Sequence, residues 1–332
     1  MATELLPDQK VAPSPLAAAA PASESLACPV CGQSQVDFLF SAPDRFHLRT
    51  VAYDLLRCQS CTLVWQKNPP ALSEIAEHYG HDYHRSITAA ADSSKHRWSL
   101  QNETIARYQA GGRLLDLGCS AGAFLSTMRG DAWSLFGIEI SPEEASHARE
   151  RAGAEVFVGD IFDAPFEPAS FDVITSFDVL EHLYQPKRVI RQVYSWLKPG
   201  GIYYVAVPNV ESWESHLFKS YWYGLEMPRH LFMYSPTSLR KLATDAGFCE
   251  LLCSTPPASY AENSLYYLWG ELLKRFSRKP LPLSQAQPPG PIAGLLRKGL
   301  RFALRNPYRA AASWAGAGPA LEMVFRKPES AP

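Results

Sequence analysis

The sequence predicts an α/β protein: a mostly parallel sheet with helices between its strands, a small cysteine-rich unit ahead of it and a helical insertion near its end. Three observations point there. From Gly112 onward, short apolar runs alternate with stretches of helical period. The first run, Leu114 to Leu117, passes into a turn of small residues, Gly118-Cys119-Ser120-Ala121-Gly122, with the acid Asp116 just before it. Upstream stand two Cys-x-x-Cys pairs, Cys28/Cys31 and Cys58/Cys61.

Bulk properties narrow the function classes. The 332 residues carry a net charge of −1 and a pI near 6.8, which gives no overall nucleic-acid signature. No uninterrupted apolar run reaches the length of a membrane-spanning helix. The start lacks the basic-then-apolar pattern of a secretory leader. The expected location is cytoplasmic, with peripheral contact at the inner face of the membrane as a variant. Seven cysteines, four of them in the two pairs, suit a reduced compartment and a metal better than disulfides.

Residues 1–27 are rich in Ala, Pro and Ser and have little to bury, so they read as a disordered tail. In residues 28–67 each Cys-x-x-Cys pair can form a knuckle that aims two thiolates at one ion. Two knuckles, Cys28/Cys31 and Cys58/Cys61, make a closed, structural zinc site. Val36–Phe40 and Tyr53–Arg57 read as strands between them, which gives a zinc ribbon; redox dithiols and a metal-free knuckle are the alternatives. Such a ribbon can also grip nucleic acid, but Phe38, Phe40, Phe46, Tyr53 and Trp65 serve equally well as its own small core. Residues 68–110 read as a helical lid or linker. Leu72, Ile75, Ala76 and Tyr79 fall at helical spacing, and a second helix runs from Lys95 to Gln109. Tyr79, Tyr83 and His84 are candidate lid residues, with plain packing as the alternative.

The core is expected over residues 111–254. The glycine turn lets the backbone approach a ligand, and a helix from Ala123 to Met128 would offer unpaired N–H groups. Phe136–Ile140 is a strand, and Ser141-Pro142 caps and opens a helix. Ala154–Asp160 is the third strand and its end. Phe171–Ser176 has the near-continuous apolar character of a buried parallel strand. A helix then runs through Trp196, Ile202–Val207 is a strand, Ser235-Pro236 opens another helix, and Glu250–Cys253 is a strand. Residues 255–319 read as an insertion before a last strand in 320–328. Between residues 271 and 310 it holds nine Lys or Arg against one acid. That suits a peripheral membrane contact, or else a solvated substrate-cap or dimer face. Cys119, Cys249 and Cys253 are expected as buried small residues.

Leu-Asp-Leu-Gly-Cys-Ser-Ala-Gly resembles the first motif of the class I S-adenosylmethionine (SAM) methyltransferases, which usually carry a third glycine where Ser120 can be aligned. The strand entry Leu197-Lys198-Pro199-Gly200-Gly201 is similar to that family too, and the matches run from about 112 to 252. The resemblance implies a Rossmann-like, seven-stranded sheet whose last strand is antiparallel. It implies SAM contacts from Asp116, Gly118, Cys119 and Gly122 at the methionine end, Glu139 and Ile140 at the ribose, Asp160 and Ile161 at the adenine, and Phe177 beside them. With its four-cysteine start the chain resembles bacterial zinc-ribbon methyltransferases linked with sugar or surface-polysaccharide modification. The expected activity is methylation of a hydroxyl on a sugar, lipid-linked glycan or related small acceptor.

The candidate catalytic residues follow the fourth strand: Glu181 and His182, with His230 later in the chain. An acid and imidazoles there can take a proton from a hydroxyl acceptor. Similar residues serve a divalent ion in some O-methyltransferases, so a metal-dependent RNA 2′-O-methyltransferase is the alternative enzyme, and a SAM-binding protein without turnover is a third reading. Arg229 beside His230 is a candidate for an anionic acceptor group.

Overall fold

A computed structural model describes residues 27–79, 95–276 and 306–329. The expected tail, and Tyr83 and His84, lie outside them. In chain order the elements are β1 (Val36–Pro43), β2 (Ala52–Cys58), β3 (Val64–Gln66), α1 (Leu72–Ile75) and α2 (Lys95–Ala106). The core follows: β4 (Gly112–Leu117), β5 (Trp133–Glu139), α3 (Pro142–Ala152), β6 (Glu155–Val158), β7 (Phe171–Phe177), α4 (Pro186–Trp196) and β8 (Leu197–Pro208). After these come α5 (Trp213–Phe218), β9 (Phe232–Met233), α6 (Pro236–Thr244), β10 (Cys249–Ser254), α7 (Ala261–Phe276), α8 over 306–314 and β11 (Ala320–Arg326).

Seven strands form one Rossmann-like sheet in the order β10-β11-β8-β7-β4-β5-β6. Pairings from β6 through β8 are parallel, and β11 runs antiparallel to both β8 and β10. The parallel strands are apolar on both faces: Leu114, Leu115, Val173, Ile174, Ile202 and Tyr203 are fully buried. Burying such a side chain contributes about 1.5–3 kcal/mol each. The chain leaves β4 toward β5 and β6, then crosses back to β7 on the other side of β4. That reversal opens a crevice at the carboxyl ends of the strands, where open α/β sheets bind ligands.

Local chemistry sets the helix starts. Ser141 caps α3, accepting from Glu144 N, with Pro142 at its first position. Ser235 and Ser238 form a reciprocal capping box at α6. The helix expected over 123–128 is instead one 3₁₀ turn, Leu125–Met128. Ser126 Oγ and Thr127 Oγ1 donate to the carbonyls of Ala123 and Phe124, offering the backbone an alternative to helix.

The four-cysteine unit carries a second sheet, β1-β2-β3-β9, whose last strand comes from the core. Within it Trp65 is buried, but Phe38 is 62% exposed beside a register shift in β1 and is not core. Cys119 is buried as expected. Cys249 and Cys253 are exposed, on β10 at the edge of the sheet. No helix of the described residues is long and apolar enough to cross a membrane.

Candidate active site

Three acids end three neighbouring strands. Asp116, near the end of β4, is almost fully buried and accepts from Thr175 Oγ1 at 2.7 Å. Burial pushes its pKa up to about 7, only partly offset by that hydrogen bond. Glu139 ends β5. Its two oxygens accept from Ser120 N and Ser141 N, each at 2.9 Å. Burial raises its pKa against the pull of those amides. Each oxygen keeps a lone pair for a further donor such as a ribose hydroxyl. Asp160 follows β6 and caps the turn after it, with Oδ1 accepting from Phe162 N at 2.8 Å.

The glycine turn between them is tight. Gly118 has φ +66°, and a Cβ there would lie 2.6 Å from Val179 Cγ2; one at Gly122 would lie 2.8 Å from Ala148 Cα. Ser120, at the place of the expected third glycine, sits at φ +45°. Cys119 packs behind the turn against Gly137. Ile140 is 75% exposed at the mouth, whereas Ile161 turns into the core, so the two apolar residues expected beside the cofactor differ in access. Phe177 is half-buried, edge-on to Phe124 and Tyr204 and tilted against Trp98 of α2. Arg97, also from α2, donates to Asp178 at 2.7 Å, so α2 is fastened to the carboxyl edge of the sheet. Three strand-end acids around a glycine turn and an exposed apolar side chain form a donor and acceptor set that fits SAM, with its cationic methionine end, diol and flat base.

Next to this cradle the turn after β7 brings Glu181 and His182 together with His230; one ligand-type atom from each lies within 4.8 Å of the others. The three are not equivalent. His230 Nδ1 donates to Gly224 O at 2.8 Å, and its Nε2 meets Glu226 Oε2 at 2.8 Å. With a carbonyl on one nitrogen and a carboxylate on the other, the ring carries both protons. Burial alone would depress its pKa, but Glu226 outweighs burial and raises it. This geometry favours a proton on each nitrogen of His230, and so a cation, over the base or acceptor ligand expected there. Glu226 is the residue that sequence reading missed. Its signal was present as an acid four residues before His230. Burial would raise its pKa, but His230 and Arg229 hold it down at about 2.

His182 is the opposite case. Its Nδ1 lies 3.1 Å from Arg229 O, a carbonyl that can only accept, so a proton on Nδ1 satisfies that carbonyl and leaves Nε2 as the basic nitrogen. Tyr79 OH also reaches Nδ1, at 3.0 Å. Burial, then the cation on His230, lowers the His182 pKa to about 3, so the ring stays neutral. Glu181 is 1% exposed, its two oxygens have no hydrogen-bond partner among the described residues, and His230 Nε2 is 4.0 Å away. Burial raises its pKa well above the usual carboxylate range, against the pull of His230.

Arg229 does not face an acceptor. It is fully buried, with Glu226 Oε1 at 3.6 Å, His78 O at 3.3 Å and the Phe46 ring 4.8 Å from its guanidinium carbon. It borders a second cluster that sequence reading missed, Asp44-His47-His78, in which both imidazoles reach Asp44 Oδ2 at 3.0 and 3.1 Å. Arg229 and Arg49 lie 3.3 and 3.4 Å from these imidazoles. Two guanidiniums so close make this an ion-pair network hostile to a cation. The four expected thiol ligands do converge: Cys28 and Cys61 Sγ are 3.5 Å apart, as are those of Cys31 and Cys58.

Comparison with known proteins bears on the cradle. A probable S-adenosylmethionine-dependent methyltransferase of Mycolicibacterium smegmatis is 27% identical over 130 residues, 38% of this chain and 50% of the relative. A ubiquinone biosynthesis O-methyltransferase of Xanthomonas euvesicatoria is 35% identical over 106 residues, 30% and 44% of the two chains. A 24-methylenesterol C-methyltransferase of Oryza sativa is 30% identical over 136 residues, 38% of each. The matches thus span half or less of the curated relatives' lengths. Among solved structures, a SAM-dependent methyltransferase from Thermotoga maritima covers 74% of this chain and is itself covered to 98%, at 18% identity and a TM-score of 0.48. The family model described as a methyltransferase domain matches residues 75–251, from the end of α1 into β10, and so takes in the strand-end acids, the glycine turn and the Glu181–His182–His230 cluster. The chain belongs to that methyltransferase family.

Proposed function

We propose that this methyltransferase acts on a hydroxyl group of a small acceptor, a sugar, lipid-linked glycan or related molecule, with His182 as the base. The observation that carries this is the contact of His182 Nδ1 with Arg229 O, a carbonyl that can only accept and so favours the tautomer with Nε2 basic beside the cradle. Bound in that cradle, SAM supplies an electrophilic methyl group. The chain's own residues do the rest. Asp116 and Glu139 orient the methionine and ribose parts of the cofactor, His182 Nε2 takes the acceptor's proton, and Glu226 keeps the His230 imidazolium's own proton in place. A low-pKa imidazole is a weak base in isolation. It suffices where the acceptor proton is lost only as its oxygen loses electron density to the methyl group.

An amphiphilic acceptor is supported by the apolar side chains on the helices around the insertion. Trp213 and Leu217 of α5, Leu265 and Trp269 of α7 and Trp314 of α8 are all exposed, Trp314 to 91%. Interfacial tryptophans of this kind suit contact with a lipid surface.

A divalent ion at Glu181, His182 and His230 is a second reading, favoured by their convergence and by the unpartnered Glu181 oxygens. Against it, both nitrogens of His230 are already engaged. Zinc in the N-terminal unit is a separate part of the proposal. Each knuckle closes with a backbone bond, Gly32 N to Cys28 O and Thr62 N to Cys58 O, and Cys61 N points at Cys58 Sγ. That arrangement of four convergent sulfurs fits a closed tetrahedral site.

The test uses SAM labelled on the methyl group and a bacterial lysate, with and without a chelator. Label entering the organic or polysaccharide fraction, unaffected by chelator and abolished by His182→Gln, is the expected result. Label in nuclease-sensitive material, lost with chelator, would overturn it in favour of the metal reading. Metal analysis should return one zinc per chain; well below that, with four free thiols, the zinc assignment fails.

A further inference from the structure

The four-cysteine unit reaches the reacting groups through one side chain. Gln66 ends β3 and is 3% exposed. Its backbone N donates to Leu231 O at 3.1 Å. Its Nε2 forks to two more carbonyls of the same loop, Pro228 O at 2.7 Å and His230 O at 2.8 Å. The carbonyl between them, Arg229 O, is the one that His182 Nδ1 meets. Leu231 N in turn donates to Glu181 O at 2.8 Å. Residues 228–231 are therefore held on one side by Gln66 and on the other by the turn that carries Glu181 and His182.

Other bonds between the same parts add to this. β3 pairs with β9 immediately after the loop, Trp65 against Phe232 and Val64 against Met233. Thr62 Oγ1, one residue past the last cysteine, is 2.6 Å from Ser235 Oγ, and Ser235 Oγ also reaches Cys61 O. The Arg229 side chain runs toward Phe46, His47 and His78.

Simple packing does not call for a glutamine. Gln66 Oε1 is buried with no hydrogen-bond partner among the described residues, a cost that a leucine or methionine would avoid. Turning the amide over would set Oε1 against two carbonyl oxygens. The residue is thus tolerated for its two N–H donors, and both go to the loop whose Arg229 O meets His182 Nδ1 and which carries His230.

We propose that Gln66 is a positioning residue for methyl transfer, and that the N-terminal cysteine unit serves as the buttress that places it, setting the geometry of the acceptor site from behind. This rests on the reading of Glu181, His182 and His230 as the acceptor site.

The test compares Gln66→Met and Gln66→Glu in the full chain carrying ¹⁵N-histidine. Methionine keeps the volume and removes both donors. The expected result is S-adenosylhomocysteine affinity within about twofold of wild type, altered ¹⁵N signals for His182 and His230, and methyl transfer down by roughly 10- to 100-fold, the scale set by misplacement of a reacting group by about 1 Å. Glutamate can donate to one of the two carbonyls, and only when protonated. Its transfer activity should survive at low pH and fall as the introduced carboxyl ionises, a limb that wild type lacks. Unchanged imidazole signals and transfer in Gln66→Met overturn the proposal, and so does a Gln66→Glu profile with the wild-type shape. If Gln66→Met does not fold, the Gln66→Glu profile decides alone. The imidazole signals need no acceptor, so they read the positioning even if His182 is not the base; that second failure would show instead as full activity in His182→Gln.

Discussion

Replacing Glu226 with glutamine isolates the charge that separates the two histidines. The side chain keeps its shape and can still accept from His230 Nε2, now 2.8 Å from a carboxylate oxygen. At that distance, with an effective dielectric near 20, a full charge pair is worth about 6 kcal/mol, or roughly four pKa units. His182 shows what this environment does to an imidazole without such a partner: burial and the neighbouring cation lower it to about 3. The rings lie 4.6 Å apart, so the comparison is local. His230 in Glu226→Gln should therefore fall by several units and be neutral at pH 7, and His182, relieved of a cationic neighbour, should rise. Removing one partner of a buried pair also costs about 3–5 kcal/mol where the other charge survives. Here His230 can shed its proton, so a smaller loss of about 1–3 kcal/mol is expected. Long-range ¹H–¹⁵N correlation across a pH series distinguishes an imidazolium from the two neutral tautomers, and denaturant melts give the stability. A wild-type His230 that is neutral at pH 7, or one that remains doubly protonated in Glu226→Gln, would refute the reasoning.

Asp116→Asn and Gly118→Ala test the cradle, with Gly153→Ala as the control for backbone strain alone. The Asp116 carboxyl has its pKa raised to about 7, above its ordinary value of 3.8, so the folded ligand-free chain binds the extra proton and loses stability as pH rises between those values. Asp116→Asn should make the ligand-free protein less sensitive to pH in that window while lowering S-adenosylhomocysteine affinity by about 10- to 100-fold, on the scale of one hydrogen bond to a charged group; calorimetry from pH 5.5 to 8.5 should show wild-type affinity rising toward pH 7 and a flat line in the variant. Gly118 and Gly153 share φ +66°, but a Cβ at Gly153 meets nothing within 4 Å whereas one at Gly118 meets Val179 at 2.6 and 3.3 Å. Both alanine variants lose about 1–2 kcal/mol to backbone strain, and Gly118→Ala should lose about 1–3 kcal/mol more to overpacking against a stiff β-branched side chain. Equal losses in denaturant melts would remove steric closeness as the reason for that glycine.

Much of the sheet was legible because parallel strands buried on both faces write themselves as apolar runs. β4, β5, β7 and β8 stand where those runs stand, and the acids that end β4 and β5 were readable from their place after them. The 3₁₀ turn at 125–128 was not, because Ser126 and Thr127 look acceptable in a helix until their hydroxyls are seen to take the local carbonyls. β9 was invisible for another reason. Two residues, Phe232 and Met233, make too short a signal, and their partner β3 lies far away in sequence. The candidate acid–histidine residues could be named from the sequence, but their protonation could not. That depends on which carbonyl or carboxylate each ring meets, Gly224 O and Glu226 for His230, Arg229 O for His182, and such partners are set by tertiary packing.

The same dependence explains why a cysteine-bound unit and a methyltransferase sheet are interlaced instead of joined by a linker. The base proposed here, oriented by a backbone carbonyl, would be only as well placed as the loop that bears the carbonyl. The 226–231 loop has no regular secondary structure of its own before β9, and it lies between two elements that the chain could have left independent. Rigid sheet on one side alone, through Leu231 N to Glu181 O, would fix one point of it. Three bonds from Gln66 and the β3–β9 ladder fix the other side, and the four convergent sulfurs close the unit from which β3 emerges. A small unit with little core of its own gains order from a crosslink, metal or covalent, more cheaply than from added apolar bulk. On the proposals made above, the cysteines and the imidazoles serve one end: the first would hold the frame, and the frame would hold the carbonyl that favours one nitrogen of His182 for accepting a proton.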